Sequence, residues 1–544
     1  MKKVLTWILV AVLVIGGAAG GWFWYRQTHV FVENAAYAKK SQMIDLRGQE
    51  ISREHYVSLQ SQLPDCAVYW DVPFQGGKLS NDTAAIALTT LTEADLDMLQ
   101  YFLQLQKVDA TGCREYQLLE QVKELYPELQ LIYQVDLGGK DYDPAETALT
   151  LSPEDFQKDV LMENLPHMGK LESITFANTD LTPEAFAEIA EAYPQIAMDY
   201  TVELLGQTLT ADAVELDLSA MTTADVDTVI GKLPQLPAVT NAELMDGEGA
   251  SALTLEDVKR LQEAAPQIVF HYTFDLYGVT ISTTDEEVKI VNKRITDEGE
   301  AEVRLAIEVM ENCRRFVLDN CKMSNELLAQ MREDYRDKTK VVWRVYFGEG
   351  TSMTDAEIIR STYNVEDDNS HDLIYCEDVR YMDIGHNDYL DAIPFVAGMP
   401  NLEVIIVSGA PIKDLTPFQN CKKLRVLEIA FCHYISDISP LAECESLEML
   451  NIGFTQVKDL SALDQRQMKL LCIDGAKVPA EERERFMELQ PDCWTTYGDG
   501  QPYGQGWRYD TKDEPLEWYA DIRSVFRYER DPYIPNNVGW YLNQ

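Results

Sequence analysis

Apolar residues recur at a fixed spacing across residues 379–476. The triplet Leu402, Ile405 and Val407 is repeated as Leu424, Leu427 and Ile429, as Leu447, Leu450 and Ile452, and as Met468, Leu471 and Ile473. These copies start 22, 23 and 21 residues apart, and Val379, Met382 and Ile384 form a looser copy upstream. Such short alternating stretches predict strands with one buried face. A second phrase follows each strand: Ile412-Lys-Asp-Leu415-Thr-Pro, Ile435-Ser-Asp-Ile438-Ser-Pro and Val457-Lys-Asp-Leu460-Ser-Ala. A period between about 20 and 29 residues predicts stacked coils, each burying its apolar face against its neighbours alone.

A longer repeat precedes these coils. Its phrase begins at Pro64, Pro127, Pro194 and Pro266, steps of 63, 67 and 72 residues, and Lys340–Gly348 is a degenerate fifth copy. Each copy alternates with period 2 and predicts a half-buried strand. Two further strands are expected in each unit. One set is Ala85–Thr89, Ala148–Leu151, Val214–Leu218 and Val288–Val291; the other is Leu105–Ala110, Leu171–Phe176 and Arg315–Leu318. Between them, Thr92, Ser152, Thr222 and Thr254 each stand three residues before an aspartate, the signature of a capped helix start. Thr182-Pro183 places proline in a first helical turn.

The L-x-x-L-x-L strands and the I-x-D-L-x-P phrases resemble leucine-rich repeats of the internalin class. That resemblance implies an α/β solenoid: a curved parallel sheet, with helices and 3₁₀ segments on its convex side. It covers about a hundred residues closely and the rest loosely. The expected organisation is a signal anchor over 1–26, a short stalk over 27–41, helix-containing repeats over 42–375, internalin-like repeats over 376–493 and an aromatic-rich cap over 494–544.

The N-terminus predicts membrane insertion. Met1-Lys2-Lys3 is basic, Val4–Gly21 carries no charge, and Trp22, Trp24 and Tyr25 suit an interfacial belt. The reading is a single-pass anchor with the C-terminal domain outside; secretion after cleavage near Gly17-Ala18-Ala19 is the alternative.

Charge narrows the partners. A net charge of −45 repels nucleic acid, so no nucleic-acid partner is expected. Of the ten cysteines, Cys113, Cys321 and Cys432 fall five residues after the second apolar position, and Cys376, Cys421 and Cys444 fall three before the first. These inward slots predict buried thiols. A Cys421–Cys444 bond fits the coil spacing without being required. The seven histidines lack metal-ligand spacing, and Glu366–Asp372 lacks the glycine and terminal glutamate of a calcium loop. Phosphate-binding and nucleophile-elbow motifs are missing too. No cofactor, metal or catalytic residue is assigned.

One surface is singled out. Residues between the inward leucines point to the concave face in three columns. The first is Tyr381, Val404, Val426, Met449 and Leu470. The second is Asp383, Ile406, Glu428, Asn451 and Cys472. The third is His386, Gly409, Phe431, Phe454 and Gly475, with Phe431 expected to stack over Phe454. An open apolar face of this kind binds partners; alternatively the tail or a loop folds over it. The tail is rich in Tyr, Trp and Phe, from Tyr503 to Tyr541, and reads as a cap on the solenoid end, with an aromatic ligand platform as the alternative. The expected function is binding of a protein or glycan at the cell surface, without catalysis. A structural or envelope-assembly scaffold is the second reading and a divergent cell-wall or polysaccharide hydrolase the third. The missing L-P-x-T-G sorting motif departs from several internalin-like proteins.

Overall fold

The computed structural model describes residues 2–498, 500 and 502–528. The chain divides into two compact units, Met1–Val214 with Asp227–Val239, and Glu215–Val226 with Thr240–Gln544.

The first unit opens with a helix over Lys2–Thr28. Among the described residues no helix is long and apolar enough to cross a membrane, and many side chains of this helix lie outside the description. The expected anchor therefore gains no support from the fold. The stretch read as a stalk holds structure: His29–Val32 pairs antiparallel with Ala35–Ala38. Val30 and Val32 are buried there, the alternation His-Val-Phe-Val giving the hairpin one inward face. Parallel strands then build up in sets. Ala85–Ala87, Lys107–Asp109 and Gln130–Ile132 form one; Ala148–Leu151, Ser173–Phe176 and Ala197–Leu204 form the next.

The second unit continues the same plan. Glu215–Asp217, Asn241–Glu243 and Val269–His271 pair in parallel, as do Glu287–Val291, Arg315–Asp319 and Lys340–Phe347. The Asn241–Glu243 strand escapes the sequence pattern because its single inward residue is Ala242. After such a set the chain turns back in an antiparallel hairpin, as at Thr273–Leu276 with Val279–Ser282. Three of these hairpins turn through two residues at positive φ: Gln75-Gly76, Leu205-Gly206 and Tyr277-Gly278. That geometry matches the twist of a tight hairpin.

The capping signatures act as expected, though two of them start 3₁₀ turns. Thr92–Asp95 and Thr254–Asp257 close capping boxes on the helices Glu93–Met98 and Leu255–Ala264. Ser152–Asp155 and Thr222–Asp225 close them on Pro153–Asp155 and Thr223–Asp225.

The seven-stranded sheet follows: Ile358–Arg360, Tyr381–Asp383, Val404–Ile406, Val426–Glu428, Met449–Asn451, Leu470–Cys472 and Trp494–Thr496, all parallel. Between them the chain returns through 3₁₀ segments such as Pro394–Gly398, Thr416–Asn420 and Ser439–Glu443. Proline at each start presets the turn, while the last return, from Leu470–Cys472 to Trp494–Thr496, runs through the helix Ala480–Leu489. Met382, Ile405, Leu427, Leu450 and Leu471 fill the interior, all without solvent exposure.

All ten cysteines are free and buried. Their slots bond one coil to the last: Cys432 Sγ lies 3.4 Å from the Val407 carbonyl and Cys444 Sγ 3.4 Å from that of Phe418. Burial pushes the Cys376, Cys421 and Cys432 thiols up to about 12. Asn387 fills the same slot as Cys432 and is buried, donating to the Ser361 and Ile384 carbonyls. The acidic loop Glu366–Asp372 is structural, since the Asp367 carboxylate accepts the Asp391 and Ala392 amides at 2.8 and 3.0 Å.

Candidate functional site

Strand register assembles the columns. It lines up Ile358, Tyr381, Val404, Val426, Met449, Leu470 and Trp494, and beside them Arg360, Asp383, Ile406, Glu428, Asn451, Cys472 and Thr496. Both predicted columns are present and each gains a residue at either end. Ile358 and Arg360 were missed because their strand keeps the 23-residue step to Tyr381 but its inward triplet, Ala356, Ile359 and Ser361, holds a single large apolar residue.

This face is covered. Residues 502–528 run across it from the Met449–Asn451 strand toward earlier strands. Val404, Ile406, Val426, Leu470 and Cys472 join Trp507, Trp518, Tyr519, Ile522 and Phe526 in one apolar cluster, with Tyr381 and Met449 partly buried against it. The tail thus lies along the strand face, rather than on the solenoid end where a cap was expected. The aromatics Tyr533, Trp540 and Tyr541 lie outside the described residues.

Asn451, Glu428 and Asp383, the polar members expected in the second column, each hydrogen-bond to the covering segment. Asn451 Nδ2 donates to the Pro502 carbonyl at 2.6 Å. Glu428, fully buried, accepts the Trp507 indole N–H and two guanidinium N–H groups of Arg508, at 2.5 and 3.2 Å. Its second support is the Ser408 hydroxyl at 3.1 Å. The Tyr528 hydroxyl donates to Asp383 at 2.5 Å, and the Arg360 guanidinium lies 4.8 Å from the Tyr528 ring centre. The segment also ties itself together, for Trp518 Nε1 donates to the Trp507 carbonyl at 2.9 Å. Its one helix, Glu517–Val525, buries Trp518, Tyr519 and Ile522.

The electrostatics follow from burial. Desolvation raises the Asp383 carboxyl above its usual value, even though Tyr528 and Arg360 pull it down. The Tyr528 hydroxyl goes up as well, from burial and from the facing Asp383. Burial opposes the charge on Arg508, but Glu428 outweighs it and holds the guanidinium above its ordinary value. A buried carboxylate is tolerated when paired and hydrogen-bonded like this.

The third column stays partly open beside the covering segment. Phe431 and Phe454 stack as expected, with centroids 4.7 Å apart and planes 8° from parallel. Tyr503 tilts against Phe431 at 5.5 Å. Exposed His386 stacks on Tyr363 at 5.5 Å. Tyr363, His386, Gly409, Phe431, Phe454 and Gly475 all hold positive φ, so the backbone turns the same way at the end of each strand. Exposed Tyr389 and Tyr434 stand in the loops that follow. Among the described residues, no group of three or more His, Cys, Asp or Glu is placed to hold a metal ion.

No family model matches the sequence, and no curated protein matches it. Solved structures similar to the chain are leucine-rich-repeat proteins. An internalin from Listeria monocytogenes is 15% identical at a TM-score of 0.25, over 71% of this chain and 91% of that one. Internalin C2 of the same organism is 13% identical at a TM-score of 0.23, over 52% and 97%. A leucine-rich-repeat protein of Leptospira interrogans is 13% identical at a TM-score of 0.23, over 75% and 93%. Nothing about partners passes from these proteins to this chain at such values. The repeat class rests on the coils themselves: L-x-x-L-x-L strands in parallel register, inward Cys and Asn slots, and 3₁₀ returns begun by proline. The seven-stranded region is built of internalin-like leucine-rich repeats.

Proposed function

We propose that this is a leucine-rich-repeat binding protein held at the cell surface by its Lys2–Thr28 helix, with the repeats outside, engaging a protein partner and catalysing nothing. One observation supports the binding surface. The strand face holds a polypeptide, because Asp383, Glu428 and Asn451 each take a hydrogen bond from, or give one to, residues 502–528. Donors and acceptors spaced across neighbouring strands, each already met by a side chain or carbonyl of residues 502–528, suit a polypeptide. The basic start and the apolar run Val4–Gly21 support the anchor; cleavage and secretion is its alternative. Scaffolding is a second reading, favoured by the same cover, since Trp507 leaves the face no solvent exposure at its centre.

Capture experiments test this. A soluble form from Thr28 onward is set beside a folded Phe431→Asp, Phe454→Asp variant, against envelope extracts, host-surface proteins and cell-wall glycans. A partner held by the wild type and lost by the variant supports the binding reading. No capture from any pool sinks it in favour of the scaffold. Fractionation of the full chain tests the anchor: recovery in the soluble fraction, with the N-terminal helix still attached, removes it.

A further inference from the structure

We propose that residues 502–528 are a tethered ligand, seated on the strand face and displaceable by a peptide of the same chemistry, in which aromatic residues flank an arginine. This rests on the reading of that face as a polypeptide-binding surface.

The two faces of the same strands differ in kind. The interior row is Met382, Ile405, Leu427, Leu450 and Leu471, wholly apolar and without solvent exposure. The covered face has one apolar row too, Tyr381, Val404, Val426, Met449 and Leu470, but beside it stand Asp383, Ile406, Glu428, Asn451 and Cys472. A permanent core packs mainly apolar groups on both sides. Three polar side chains under a cover, each hydrogen-bonded to that cover, Glu428 to two of its residues, are the pattern of an interface.

The cover's composition agrees. Trp507, Arg508, Trp518, Tyr519 and Tyr528 are the residue types that dominate binding energy between proteins. Arg508 sits at the centre, its guanidinium 4.4 Å from the Tyr503 ring centre and 5.1 Å from that of Tyr519. Trp507 beside it reaches the same carboxylate, so Glu428 reads an indole and a guanidinium at once. Charge fits too. The segment holds four basic and five acidic residues, while the whole chain carries −45. An incoming arginine would meet an acidic surface and a buried carboxylate.

The segment is built to leave as one piece. Its own contacts, the Glu517–Val525 helix and the Trp518–Trp507 hydrogen bond, are local. It joins the last strand, Trp494–Thr496, through a handful of residues. Gly453 lets it seat at its first contact, since a Cβ there would stand 2.6 Å from Pro502 Cβ.

The test uses the full chain with a site-specific protease sequence inserted between Thr496 and Pro502, cut after folding. The probe is a fluorescent synthetic peptide of residues 502–528, followed by anisotropy. Uncut protein is expected to bind the peptide weakly, against the high effective concentration of its own tether, and cut protein to bind it more tightly and saturably. An Arg508→Ala change in the peptide alone, which leaves the protein untouched, should weaken binding about thirtyfold or more, as for one half of a buried charge pair. Glu428→Gln in the protein should do the same. Cut protein that keeps its own segment against excess peptide, or that loses cooperative melting once cut, overturns the proposal and makes the segment part of the fold. Exchange of the peptide without capture of any outside partner leaves the tethered ligand standing and removes the surface-binding reading instead. Capture through Phe431 and Phe454 without exchange does the reverse.

Discussion

Arg508 meets Glu428 with two nitrogens on two oxygens, Nη2 to Oε1 at 2.5 Å and Nε to Oε2 at 3.2 Å. Glu428 has no solvent exposure, so the pair is read as a buried fork-to-fork contact rather than a surface ion pair.

Removing one half of such a pair strands the other. Glu428→Ala is expected to destabilise the second unit by about 3–5 kcal/mol, while Glu428→Leu with Arg508→Met should recover much of that. Denaturant unfolding of the single and double variants checks it. Equal losses in both would show that the pairing is not what matters.

Acid has two opposed effects. Asp383 has a raised value in the folded state, so folding takes up a proton there. Its stabilising share is complete below the ordinary carboxylate value of 3.8 and fades as pH rises through the raised one. Capping aspartates run the other way. Burial opposes the charge on Asp95 and Asp257, yet hydrogen bonds from Thr92 and Thr254 outweigh it and hold both low. Their share is present above 3.8 and is lost as pH falls through the lowered values. Melting temperatures from neutral to mildly acid pH should therefore show wild type gaining on Asp383→Asn, and Asp257→Asn gaining on wild type only below that range. A constant gap between wild type and Asp383→Asn would remove the first claim.

The thiols should be silent in the native protein. Burial holds Cys113, Cys321, Cys444 and Cys472 up to about 11, and nucleophilic reaction needs the thiolate. A colorimetric thiol reagent at mildly alkaline pH is expected to react slowly when the protein is folded and fully, at ten sites, after denaturation. Rapid reaction of several cysteines in the folded state would contradict the buried slots.

Two glycines should respond with opposite sign. At Gly475, φ is +67° and a Cβ would stand 2.7 Å from the Phe454 ring. Gly475→Ala should cost about 1–3 kcal/mol and loosen the Phe431–Phe454 stack. Gly231 lies in the Val226–Lys232 helix with nothing within 4 Å of a Cβ. Gly231→Ala should gain about 0.5–1 kcal/mol. Denaturant midpoints read both, and a stabilising Gly475→Ala would mean the ring has room to move.

Local order was legible because it is written at short range. The spacing of Leu424, Leu427 and Ile429 sets a strand's inward face within six residues. Repetition of that spacing sets the register that aligns Asp383, Ile406, Glu428 and Asn451. Capping pairs such as Thr254 and Asp257 lie three residues apart, and inward cysteines keep fixed offsets from their strands. Each of these depends on backbone geometry alone. The hairpins were less legible. Leu205 holds φ of 49°, a conformation its side chain does not advertise.

What the sequence determined, then, was the coil, its register and which side chains share a face. Only the tertiary structure decided whether that face is open. Trp507 and Glu428 are separated by 79 residues, and no periodicity links them. An aromatic-rich tail predicts that some apolar surface must be covered, because Trp and Tyr bury large areas. Which surface it covers depends on where Glu428, Asn451 and Asp383 stand once the strands have stacked, and that arrangement exists only in the folded chain.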